Sequence, residues 1–156
     1  MQVKDFGQHE IEALVSRAYS IIRKIDNLRH DFVILLEQEK LLTQLVVVCE
    51  DTESVGIHAR ESSIAIEDYG HSYEVPGYEE LTDFTDYRRE LSQVLSANTT
   101  VKNDAEKTAS VIDSLKAEVG SQMYDLKAEL NGIRNGLLGY PEYHHVPFSD
   151  YLDSGV

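Results

Sequence analysis

The chain has 156 residues, with 28 acidic against 14 basic side chains for a net charge of −14, and 42% hydrophobic residues. That length predicts one domain with an arm, and the hydrophobic share excludes a disordered acidic tail. The acidity excludes a groove that tracks nucleic-acid phosphates and docking on an anionic membrane, since both need clustered Lys and Arg.

The charge is uneven. Residues 51–79 carry seven acids and one base, and residues 138–156 carry three acids and no base. The long segments on either side of 51–79 are close to balanced. After a short lead, 1–8, a heptad seam runs through Ile11, Leu14, Ala18, Ile21, Ile25, Leu28, Phe32, Leu35, Glu39, Leu42, Val46 and Cys49. Its alternating three- and four-residue steps predict a helix that packs in a coiled coil or bundle. The segment 51–69 admits two readings. Val55, Ala59, Ser62 and Ile66 suit one helix face, whereas Val55, Ile57, Ala59 and Ile64, Ile66 alternate as strands do. The absence of an Asn-Gly or Asp-Gly turn between those two runs favours helix. The first helical segment is therefore placed at 9–69. Gly70 to Gly77, with Pro76, is read as the loop.

A second, weaker seam over 78–137 reads Phe84, Tyr87, Leu91, Val94, Asn98, Val101, Ala105, Thr108, Ile112, Leu115, Val119, Gln122, Leu126, Glu129 and Ile133, with Leu130 an alternative to Glu129 because a 3.6-residue helix drifts off a strict 3.5 repeat. Its end is expected among Gly132, Gly136 and Gly139, ahead of Pro141. Two helices of about 60 residues, each about 90 Å long, joined by one short loop predict an all-α fold. The expected fold is a long antiparallel helical hairpin or coiled-coil-like bundle with an extended C-terminal arm at 138–156.

The pairing implied by that hairpin is mismatched. Phe32–Leu36 and Leu45–Cys49 are apolar nearly all round the helix, which demands burial on more than one side. Yet with the turn near residue 73, residues 41–49 face roughly 98–106, the most polar part of the second helix. Either the second helix breaks at 98–103, with Asn103 as cap and Glu106 completing a capping box, or another chain covers the apolar stretch. The expected partner-binding face is Phe32, Val33, Leu36, Leu41, Leu45, Val47 and Val48. In the arm, Tyr140, Tyr143, Phe148, Tyr151 and Leu152 are too many apolar anchors for a solvating tail. They are expected to dock, on their own bundle or on a partner.

No chemistry is marked. His9-Glu10-Ile11-Glu12-Ala13 lacks the second His of a zinc-protease helix, and the one Glu-x-x-His, Glu142 to His145, lies in the Pro-rich arm. The lone Cys49 sits on the seam, excluding a disulfide framework or Cys-based zinc site. No Gly-rich phosphate loop or nucleophile elbow occurs. No catalytic residue, cofactor, metal or small-molecule substrate is therefore expected. With no apolar run approaching ~18 residues and no signal-peptide pattern, a cytoplasmic protein, or one in a particle assembled there, is expected. The favoured role is a non-enzymatic structural or adaptor protein. It would assemble with itself or a larger complex, such as a virus or phage particle. The alternatives are an acidic DNA mimic and a helical-bundle metal protein.

Overall fold

The computed structural model describes residues 7–74, 84–143 and 145–153. Residues 1–6 of the expected lead, 75–77 of the expected loop, 78–83 of the expected second helical segment, and 144 and 154–156 of the expected arm lie outside the described part. Two long helices, α1 (Gln8–Ser72) and α2 (Thr85–Gly136), pack against each other as an antiparallel hairpin. A 3-10 turn, Pro141–Tyr143, and a short helix, α3 (Phe148–Leu152), follow.

The segment 51–69 is helix, as the missing turn signal favoured. Gly70 does not break α1, which continues to Ser72. Gly70 is buried, so it serves as a small contact residue on the seam rather than as a loop residue. The chain leaves the helix at Glu74, whose φ of 46° is the left-handed conformation that ends helices.

Helix α2 has no break at 98–103. Its polar residues are satisfied in place. The Thr99 and Thr100 hydroxyls donate to the carbonyls of Leu95 and Ser96 one turn back, and Asn98 reaches across to α1. The second seam is half displaced. Phe84, Leu91, Asn98, Ala105, Ile112, Val119, Leu126 and Ile133 do turn inward. The alternate positions are one residue later than expected: Arg88, Leu95, Lys102, Ala109, Lys116, Met123, Leu130 and Leu137 are buried or half-buried. Arg88, Lys102 and Lys116 hid this phase: their long stems line the seam, and their charged ends pair with Glu67, Glu50 and Asp113.

The residues form two compact units, 1–37 with 112–156, and 38–111. The first holds the main core: Ile11, Ala18, Ile21, Ile22 and Ile25 of α1 against Met123, Leu130, Ile133 and Leu137, with Val146 and Phe148 of the C-terminal segment. That segment is not extended. Backbone bonds from Tyr140 to Leu137, Tyr143 to Tyr140 and Val146 to Tyr143 coil it in successive turns. Pro141 opens the 3-10 turn and Pro147 precedes α3, positions where a missing N–H costs nothing.

In the 38–111 unit the seam is built of small residues. Cys49, Gly56, Ser63, Gly70 and Ala105 are buried. A Cβ on Gly56 would overlap the Leu95 side chain, so Leu95 packs into the space that the missing side chain leaves. Glu67 closes the upper end. One carboxylate oxygen accepts the Phe84 amide at 3.2 Å and the other lies 2.9 Å from Arg88 Nη1.

Candidate functional site

The candidate site is an apolar face of the 38–111 unit. Give the seam residues heptad letters a and d. In α1, d is Leu42, Cys49, Gly56, Ser63 and Gly70. The c and g positions then lie on one flank of the seam, and b and e on the other. From residue 38 through α1 to Tyr73 in the turn that follows it, no c or g position is charged. The c row is Leu41, Val48, Val55, Ser62 and Tyr69. The g row is Gln38, Leu45, Thr52, Ala59, Ile66 and Tyr73.

Every acid and base of that stretch occupies another position. Leu41 is 63% exposed, Val55 69% and Tyr73 69%, and Leu45, Val48, Ile66 and Tyr69 are exposed as well. On α2, Tyr87, Val94 and Val101 are g positions and Val111 is a c position, all exposed. Because α2 runs antiparallel to α1, the c and g positions of both helices fall on the same side of the pair. The result is one broad apolar face with Glu90 and Asp104 at its α2 rim. The opposite side of α2 is polar, with Arg89, Ser92, Ser96, Thr99 and Asn103 exposed.

This arrangement divides the residues that sequence reasoning grouped. Phe32 is a half-buried seam residue. Leu41, Leu45 and Val48 belong to the charge-free face. Val47 lies on the other flank, as do Val33 and Leu36 on α1 within the first unit, and all three are exposed. Val55, Ile66, Tyr69, Tyr73, Tyr87, Val94 and Val101 were missed. Consecutive apolar runs point only to 32–49. The longer face emerges when residues are sorted by heptad position and the uncharged rows are picked out.

The arm residues pack on their own chain. Phe148 is buried in the core of the first unit, and Tyr140, Tyr143, Tyr151 and Leu152 are partly buried against it. Tyr151 donates its hydroxyl to Asp26 Oδ2 at 2.9 Å, and the Arg29 guanidinium lies over its ring, 4.9 Å from the centroid. Burial and the neighbouring Asp26 carboxylate push the Tyr151 phenol above its ordinary range. Gln8 donates to the Tyr143 hydroxyl, and Arg134 pairs with Asp153 at 3.3 Å. In the same unit, Arg17 grips Glu129 through two nitrogens at 2.7 and 3.0 Å. That hydrogen-bonded pair holds the Glu129 carboxyl below its usual range and raises Arg17.

Among the described residues, no group of three or more His, Cys, Asp or Glu is placed to hold a metal ion, and no helix is long and apolar enough to cross a membrane. Comparison with protein-family models, with curated proteins and with solved structures returns no match.

Proposed function

We propose that this chain is a non-enzymatic structural protein that works by packing the charge-free face of its 38–111 hairpin against another protein. The single observation behind this reading is the exclusion of charge from every c and g position between residues 38 and 73, in a chain of net charge −14. A free hairpin has no use for that exclusion. A solvated flank normally carries the charged residues that keep a helix soluble. Heptad spacing fits the face to a helical partner, because identical three-four steps let knobs enter holes. The acidic residues at the other positions keep the remaining surface soluble and unattractive to nucleic acid. The arm serves this role indirectly, by completing the core of its own chain.

A neutral solvatochromic dye tests the reading. At submicromolar concentration the purified chain is expected to bind the dye. Val48→Glu with Val55→Glu should remove most of that binding at unchanged helix content. Dye binding that is absent from the wild type, or indifferent to the two charges, contradicts the reading.

A further inference from the structure

We infer that the occupant of this face is a second copy of the chain, packed antiparallel on a two-fold axis between Val55 and Ala59. The inference rests on the docking reading above and names its partner. An isologous interface must be complementary to itself under a two-fold rotation. The face of α1 has that property. Its steps from Leu41 to Tyr73 run four, three, four and so on to four, the same read in either direction.

Its side chains are matched in size and polarity about the middle. Turning one copy over the other brings Leu41 to Tyr73 and Leu45 to Tyr69, large against large. It brings Val48 to Ile66. It brings the Thr52 hydroxyl to Ser62, so the two polar residues of the row meet each other. At the axis, Val55 meets Ala59, both small enough for close approach.

Charge and area agree. Two copies of so acidic a chain repel each other in general, but no carboxylate of α1 lies on this face, and the carboxylates of Glu90 and Asp104 stand at its α2 rim, away from the α1 contact. At roughly 150–200 Å² for a fully exposed side chain of this kind, the exposed apolar residues from Leu41 to Tyr73 leave roughly 600–800 Å² per chain to be covered. A standard protein–protein interface needs about 800 Å² per partner. Tyr87, Val94 and Val101 of α2 widen the contact, and the pair of hairpins makes a four-helix layer.

Sedimentation velocity between 1 and 100 µM tests this. The wild type is expected to be a dimer, and Val55→Glu a monomer with the wild-type circular dichroism spectrum. Ile57→Glu, on the opposite flank, is expected to remain a dimer. A dimer that survives Val55→Glu overturns the proposal. A monomeric wild type overturns it too, and the dye then separates the two readings. A monomer whose dye binding is lost in the Val48→Glu, Val55→Glu variant keeps the docking face without this partner. A monomer that binds no dye removes both.

Discussion

Asn98 of α2 donates its side-chain amide to the backbone carbonyl of Cys49 on α1, 2.7 Å away across the hairpin. This bond sits where the most polar stretch of α2 meets the most apolar stretch of α1. It shows how an apparent mismatch is accommodated without breaking either helix. A polar residue on a seam fixes the register at some cost in stability. Asn98→Ala is expected to lower stability by about 1 kcal/mol. Asn98→Leu should leave it unchanged or raise it, at the expense of a unique pairing. Thermal melts of the three proteins check the order.

Gly56 and Gly120 make opposite predictions for the same substitution. Both lie inside helices, where Ala is worth about 1 kcal/mol over Gly. Nothing lies within 4 Å of a Cβ at Gly120, so Gly120→Ala should stabilise by about that amount. At Gly56 the new methyl meets Leu95 Cδ2 at 2.4 Å and Leu95 Cγ at 3.1 Å. The whole Leu95 side chain must move, and a net loss of about 1 kcal/mol is expected. Adding Leu95→Ala to Gly56→Ala should then cost much less than Leu95→Ala alone. Denaturant titrations of the four variants give the comparison.

From Ile11 to Cys49 the α1 seam was legible in the sequence nearly residue by residue, because every a and d position there except Glu39 is apolar; beyond Cys49 the a positions are Glu53, Arg60 and Glu67, and the buried positions are the small residues Gly56, Ser63 and Gly70. The α2 seam was legible at only one of its two positions per heptad. Tyr87, Val94, Val101 and Leu115 look like core and are exposed, while Arg88, Lys102 and Lys116 look like surface and line the seam. Hydrophobicity alone cannot separate these, since a long Lys or Arg stem buries as well as a Val. The apolar face was partly legible. Leu41, Leu45 and Val48 lie in a run, but Val55, Ile66 and Tyr69 are interleaved with Glu53, Glu61 and Asp68 and vanish in a linear scan. The arm was expected to be extended because it holds two prolines, and both prove to stand at the starts of helical turns.

The arm should behave as part of the core. Deleting residues 140–156 strips Val146 and Phe148 from it and is expected to cost roughly 3 kcal/mol, read as a lower denaturation midpoint of the first unit. Tyr151→Phe alone should cost about 1 kcal/mol. The Tyr151 phenol is raised in the folded chain, so its neutral form is the one that folding favours. That stabilisation is fully present below the ordinary tyrosine pKa of 10.0 and is lost as pH rises through the folded value. Absorbance at 295 nm should therefore show one tyrosine ionising late in the wild type, and Tyr151→Phe should remove it.

The Arg17–Glu129 pair carries the opposite sign. Glu129 is depressed in the folded chain, so its contribution is present above the ordinary carboxylate value of 4.5 and is lost as pH falls through the lower folded value. Arg17→Gln is expected to lower Tm slightly at pH 7, because the pair is exposed and screened. The difference between wild type and variant should shrink steadily as pH is lowered from about 4.5. Melts across that range supply the test, and a gap that stays constant to the lowest pH contradicts it.

The central claim, that two copies meet antiparallel through α1, is tested most directly by distances between spin labels. His58, near the proposed axis, and Gln44, thirteen positions away from it, are both exposed at f positions, off the face itself. Each is replaced by cysteine in a Cys49→Ala background and labelled. The antiparallel dimer predicts a separation under about 25 Å at His58 and about 40 Å or more at Gln44, from 1.5 Å of helix rise per residue. Equal separations at the two positions, or no dipolar coupling at either, would contradict it.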